Sequence, residues 1–371
     1  MAEDRRRVDE LRTQLGLIDR DILRSIERRA RLAQELSGLR TGTARFAPLA
    51  DGAYMAELER AVEQPLTAAA VRPIFNAIDG ACRLFDVAPR VGFVGPEGGF
   101  GWMAARSYFG AGADLHRTDT SGHAIEEVGR SRIDFAVIPY ESLQDGPIFP
   151  TIQAVAAADL KLVGEREMTQ VLVLVNATGE MPGEVEKVYV SAQDHVAAVQ
   201  YLESNHPRAL VLDVRSPVMA WELASENQGS AAIVPRGSVG ANDLRVAREN
   251  IGDEGEVRMR YGVISRLPAP RSGSDATALL FSVSDRPGAL HDILQHFKER
   301  DCNLRRIQSR PVRGEGWEYV FYVEVQNHIT DRPLVAALEG VKRVTKTLKI
   351  IGSFPLEASE PAPPESTLDR R

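Results

Sequence analysis

Residues Ser284–Pro311 read SDRPGALHDILQHFKERDCNLRRIQSRP. A helical pattern runs over 288–299 with Gly288 in its first turn, and a strand follows at 303–309. A glycine there lets a ligand approach backbone N–H groups, and a helix start favours a carboxylate. Working outward, a strand pattern at 277–283 precedes this stretch. A strand at 318–325, a helix at 331–340 and a strand at 344–351 follow it. The order βαββαβ predicts a ferredoxin-like α+β domain over 275–354. The remaining residues, 355–371, are rich in Pro, Ser and Glu and are expected to be disordered.

Upstream, the polar linker RLPAPRSGSD (266–275) separates this domain from an α/β region over 89–267. Strand patterns at RVGFV (90–94), 133–142, 161–175, 187–192, 209–214 and 229–235 alternate with helical ones, which predicts a sheet arranged in two lobes. Residues 1–88 read as purely helical. Val8, Leu11, Leu15, Ile18, Ile22, Ile26, Leu32 and Leu36 recur at steps of three and four, with one step of six after Ile26, over a long helix at 5–40. Shorter helices are expected at 53–63 and 68–87.

The chain has 371 residues, 43% hydrophobic and 26% charged, with a formal net charge of -7. That balance offers no footprint for nucleic acid, and the apolar runs are too short to span a membrane. The charged N-terminus lacks an apolar signal core, and Cys82 and Cys302 form no metal spacing or disulfide framework. A cytoplasmic protein without metal or organic cofactor is expected.

Three sets of residues resemble those of the bifunctional chorismate mutase–prephenate dehydratase family. In the third module, Gly288-Ala289-Leu290 and Gln308-Ser309-Arg310-Pro311 resemble the G-A-L and E-S-R-P motifs of the ACT regulatory domain, with glutamine in place of the family glutamate. Asn303 and Leu304 are expected beside the Gly288 turn. The resemblance implies phenylalanine bound as an effector between two subunits of a homodimer or homotetramer.

The helical module resembles chorismate mutase. That rearrangement needs no nucleophile, only cations that hold two carboxylates and the developing negative charge. Arg12, Arg29 and Arg40 match cationic family positions. Arg29 and Arg40, 11 residues apart, share a helix face with a rise of about 16 Å. Arg12 is implied to reach a partner's site. Asp51 matches a family aspartate. Elsewhere the pattern departs: a family arginine is Tyr54, a glutamate is Met55, a serine is Cys82 and a glutamine is Asp86.

The middle module resembles prephenate dehydratase, whose fold is of the two-lobed periplasmic-binding kind. That enzyme must assist departure of a ring hydroxyl while holding two carboxylates. Gly95-Pro96-Glu97-Gly98-Gly99-Phe100-Gly101, Glu141-Ser142, Ser191 and Met259-Arg260-Tyr261 stand at its motifs, and Ser216 is placed with Gly98, Gly99, Glu141, Ser142, Ser191 and Tyr261 among substrate-binding residues. Met259, Gly99, Gly101 and Ala192 replace residues that could donate, and a thioether donates nothing. Arg260 is expected to pair a substrate carboxylate. Three functions follow: conversion of prephenate to phenylpyruvate, a non-aromatising prephenate decarboxylase, or a non-catalytic phenylalanine-sensing partner protein.

Overall fold

The computed structural model describes residues 2–39, 52–82, 88–142, 146–180, 184–238, 245–253, 255, 257–283, 286–312 and 318–356. The helical region consists of α1 (Ala2–Leu39), α2 (Gly52–Ala61) and α3 (Ala68–Cys82), with α3 packed along α1. Short α2 and α3 cannot cover a 38-residue helix, which is about 57 Å long. Val8, Leu11, Leu15, Ile18 and Ile22 therefore remain exposed along its stripe.

The α/β region begins β1 (Arg90–Val94), α4 (Phe100–Phe109), β2 (Asp114–Thr118), α5 (Ser121–Gly129), β3 (Phe135–Ser142), β4 (Gly146–Pro147), α6 (Phe149–Ala157) and β5 (Lys161–Gln170). It continues through β6 (Leu172–Val175), β7 (Lys187–Ser191), α7 (Ala192–Val196), α8 (Val199–Asn205), β8 (Leu210–Val214), α9 (Pro217–Glu226), β9 (Ser230–Pro235), β10 (Val246–Arg248) and β11 (Val257–Ser265). The first sheet has the order β2-β1-β3-β11-β5, with β4 on β3, and the second has the order β10-β6-β9-β7-β8.

Two differences from the sequence expectation are instructive. The apolar run at 161–175 is two strands, β5 and β6, which belong to different sheets on either side of Val171. The chain enters the second lobe there and returns to the first on β11. Strand β2 was not anticipated: as an edge strand it buries only Thr118 and carries no apolar alternation.

The C-terminal region is β12 (Asp275–Val283), α10 (Ala289–Lys298), β13 (Leu304–Val312), β14 (Glu318–Gln326), α11 (Arg332–Val344) and β15 (Thr347–Pro355), in the antiparallel order β13-β14-β12-β15. Every residue of β12 is buried, because both faces of this sheet are covered. Leu279, Phe281 and Val283 meet Ile293, Phe297, Leu334 and Val341 of the two helices. Ala276, Ala278 and Leu280 instead join Ile138, Tyr140, Leu162 and Ile264 of the first lobe. The C-terminal sheet thus lies face to face on the back of the first sheet, and apolar burial on that scale fixes their relative position.

Candidate active site and the charge network behind it

The carboxyl ends of β1, β7, β8 and β9 converge between the lobes, where ligands of open α/β sheets bind. The turn from β1 to α4 supplies Gly95 to Gly99. Gly98 has φ +77, and a Cβ there would lie 3.0 Å from Val218 in the first turn of α9. A Cβ on Gly95 would lie 3.3 Å from the side-chain oxygen of Gln193 on α7. The two lobes therefore meet at this turn. Gly99 caps α4 in extended conformation, and its N–H donates to the Pro96 carbonyl at 3.1 Å. A Cβ on Gly101 would fall 2.1 Å from the Val94 carbonyl oxygen. In this chain the glycine at 101 is what lets α4 start directly against β1.

Across the cleft, Ser216 caps α9 by accepting from the Met219 N–H at 3.3 Å, and Ser191 caps α7. The Ser191 hydroxyl donates to Asp194 Oδ2 at 2.6 Å. Both residues are 3% exposed. Burial, only partly opposed by the Ser191 hydrogen bond, pushes the Asp194 carboxyl up to about 6. Tyr261 on β11 accepts from Gln170 at 3.1 Å. Its phenol is pushed up, first by burial and also by the nearby charge of Asp194.

Strand alternation divides β11 between two surroundings. Met259, Tyr261 and Val263 face the core shared with α4 and the second lobe, where Met259 lies partly buried with Met168. Ile264 faces the C-terminal sheet, and so does Arg260. The Arg260 guanidinium donates to Glu141, Glu165 and Glu324, the last at 3.0 Å. Tyr140 and Tyr322 donate to Glu165 and Glu324 at 2.9 and 2.7 Å. Arg306 pairs with Glu141, and Arg305 approaches Glu324 at 3.6 Å. Arg260 is 3% exposed and Glu324 0%. Burial works against the arginine's charge, but Tyr140, Glu324 and Glu141 outweigh it and raise its pKa.

This position does not suit the expectation that Arg260 and Glu141 meet substrate. Their charges are spent on one another, on the far side of the sheet. The register explains Glu141: Arg260 pairs Glu141 while Tyr261 pairs Pro139, so Tyr140 is an inserted residue. Such a bulge re-aims the side chain beside it. Ser142 is buried and pairs Met259 through the backbone. Glu165, Glu324, Arg305, Arg306, Tyr140 and Tyr322 were not picked out from sequence. The signal for Glu165 and Glu324 is a charged residue inside an apolar strand, as in LVGEREM and VFYVEVQ.

In the helical region, Arg29 on α1 donates to the buried Asp79 on α3 at 2.8 Å. Arg12 is exposed on the same helix, about 25 Å away along the axis at 17 residues, so one chain does not bring both to one site. Arg40, Asp51 and Asp86 lie outside the described residues.

In the C-terminal sheet, Gly288 takes the left-handed φ of +81 and precedes α10; Ala289 is buried and Leu290 half-buried. Val283 pairs Tyr319, which pairs Pro311, so Gln308, Ser309, Arg310 and Pro311 lie toward the same end of the sheet as Gly288. The Asn303 carbonyl instead accepts from Gln326, and Leu304 pairs Val325. Asn303 and Leu304 are thus at the opposite end from the Gly288 turn, not beside it, because α10 returns the chain across the sheet. Gln308 reaches Gly146, and Arg310 lies 6.0 Å over the Phe149 ring.

Fold and site together define a two-lobed α/β domain with a cleft between its lobes, backed by a βαββαβ sheet. The family profile described as prephenate dehydratase matches residues 91–269, and the ACT domain profile matches 277–343. The bifunctional chorismate mutase/prephenate dehydratase of Aquifex aeolicus is 30% identical over 358 residues, covering 93% of this chain and 97% of the relative. The prephenate dehydratase of Mycolicibacterium smegmatis is 30% identical over 293 residues, covering 74% and 93%. The crystal structure of prephenate dehydratase from Arthrobacter aurescens in complex with L-Phe is 27% identical, with a TM-score of 0.57, covering 74% of this chain and 92% of that one. The chain belongs to the prephenate dehydratase family, in the form that also carries a chorismate mutase-like helical region and an ACT domain.

Proposed function

We propose that this protein converts prephenate to phenylpyruvate in phenylalanine biosynthesis, with a chorismate mutase-type module at its N-terminus and phenylalanine as effector at its ACT domain. The observation that carries the dehydratase reading is the cleft in which the Gly95–Gly99 turn faces the starts of α7 and α9. Backbone N–H groups of a glycine turn and of two ten-residue helices, α4 and α9, suit the carboxylates of a small dianion. Ser191, Ser216 and Tyr261 supply hydroxyls around it. Arg260 and Glu141 act through the architecture, holding β11 and β3 against the ACT sheet.

The effector reading draws on the L-Phe complex of the Arthrobacter aurescens relative. Gly288 and Asn303 lie at opposite ends of one sheet, so a two-fold partner running antiparallel along β13 would bring one copy's Asn303 to the other's Gly288. The exposed stripe of α1 likewise suits a second copy. We assign a homodimer or homotetramer in the cytoplasm, and no helix among the described residues is long and apolar enough to cross a membrane.

Incubation of the purified chain with prephenate near neutral pH tests this, with phenylpyruvate and the non-aromatic keto acid followed separately. Phenylpyruvate above the acid-catalysed background is expected. The non-aromatic acid alone would favour the decarboxylase, a reading in keeping with the thioether of Met259 on the inner face of β11. Phenylalanine binding with neither product would make the chain a sensor.

A further inference from the structure

Six carboxyls are buried among the described residues: Asp79, Glu141, Glu165, Asp194, Asp275 and Glu324. Glu141, Glu165 and Glu324 share Arg260. Asp79 holds Arg29. Asp275 accepts from two backbone N–H groups and the Ser272 hydroxyl. Among the described residues, Asp194 alone of the six has neither a cation nor a backbone donor on its carboxylate, only the Ser191 hydroxyl on Oδ2. A buried carboxyl in that state favours its proton, and Oδ1 is the oxygen left to carry it.

Its neighbours sharpen the point. Ser191 Oγ accepts from the Asp194 N–H at 3.3 Å while donating to Oδ2, so the carboxyl is held in one orientation. The Tyr261 phenol on β11 lies close enough to feel its charge. On α7 itself His195 engages Asp213 at 3.4 Å. Asp253, whose N–H meets the Ala197 carbonyl, spends its carboxylate on the N–H groups of Gln200 and Tyr201. Glu97 of the β1–α4 turn is exposed. No cation faces Asp194 from these elements, and an incoming dianion would favour its neutral form further.

We propose that Asp194 donates the proton that carries off the ring hydroxyl of the substrate, an assignment that rests on the dehydratase reading. The proton moves from Oδ1 to the hydroxyl oxygen, and the carbon–oxygen bond breaks with its electron pair leaving in water. The pair from the ring carbon–carboxylate bond completes the aromatic ring as carbon dioxide departs. Asp194 is left as carboxylate and regains a proton from solvent. Ser191 is a positioning residue: it fixes which oxygen carries the proton. A donor on α7 also accounts for a thioether at 259, since β11 then has no proton to supply.

The test is kcat/KM for prephenate from pH 5 to 9 in the full chain, its Asp194→Asn and Asp194→Glu variants, and Ser191→Ala, with folding checked by circular dichroism. Calorimetry measures prephenate affinity of Asp194→Asn. The expected result is a wild-type kcat/KM that falls tenfold per pH unit above a break. Asp194→Asn is expected to lose on the order of 10²–10⁴-fold in kcat, to lose the break, and to bind prephenate as well as wild type. Asp194→Glu retains part of the activity with the break displaced, and Ser191→Ala shifts the break. Asp194→Asn within threefold of wild type with its break intact overturns the assignment, as does loss of binding in proportion to loss of rate. If wild type itself forms no phenylpyruvate, the dehydratase reading fails and takes the assignment with it, an outcome separate from an active wild type indifferent to residue 194.

Discussion

Replacing Arg260 with methionine distinguishes a structural arginine from a substrate-binding one. Three carboxylates, each under a tenth exposed, converge on its guanidinium. Removing one member of a buried ion pair costs about 3–5 kcal/mol, because the partner charge stays buried. Arg306 and Arg305 remain within 3.4 and 3.6 Å of Glu324, which places the expected loss near the lower end, about 3 kcal/mol. For a unit of this size each kcal/mol lowers Tm by roughly 2–4 °C, so the midpoint should fall by about 6–12 °C. Prephenate KM, measured well below that midpoint, should change less than about threefold, since the side chain points away from the cleft. An arginine gripping a substrate carboxylate through two charge-assisted bonds would behave oppositely. Each such bond contributes about 1.5–3 kcal/mol, so its loss would raise KM by roughly 10²-fold or more with little change in Tm. A double variant, Arg260→Met with Glu324→Leu, should recover part of the lost stability, because removing both partners is far less costly than stranding one. An unchanged Tm with a large rise in KM would refute the placement of Arg260.

Other outcomes follow from the same geometry. The Asp194 carboxyl, raised from 3.8 to about 6, favours the folded state fully below pH 3.8 and loses that contribution as pH climbs through 6. The difference is about 3 kcal/mol. Asp194→Asn should therefore raise Tm at pH 8 and leave it nearly unchanged at pH 4 in scanning calorimetry, while costing activity; equal shifts at both pH values would contradict the burial argument. Gly101→Ser should lower Tm by several degrees without raising dehydration, because its Cβ collides with the Val94 carbonyl; a stable, faster variant would mean that α4 relocates readily. Asp79→Asn frees Arg29 from its internal carboxylate, and a cyclic dicarboxylate should then bind the helical region at least several-fold tighter by calorimetry. Unchanged affinity would place that anion elsewhere. Arg306→Met, which cuts the link from β13 to Glu141, should leave phenylalanine binding in place while shrinking its effect on kcat; an undiminished response would route the coupling through another contact.

Much of this protein is written locally. The three- and four-residue steps along 5–40, the largely apolar run in 277–283, and glycines at 95, 98 and 288 each reflect a constraint that neighbouring residues impose on the backbone. The order of the modules follows from those patterns alone. Even the outward direction of Arg260 was available in principle, since a strand that turns Met259 and Tyr261 to one face must turn residue 260 to the other. What local pattern did not contain is which strands would be neighbours. The Tyr140 insertion that brings Glu141 over to Arg260, the break at Val171 that divides one apolar run between two sheets, and the helix that carries Asn303 away from Gly288 all depend on pairings between distant segments. The same is true of Asp194: an aspartate three residues after a serine is unremarkable until packing buries it with no cation paired to it among the described residues. Charge is given by composition, but the dielectric around it, and hence whether a carboxyl keeps its proton, is created only when the lobes pack together.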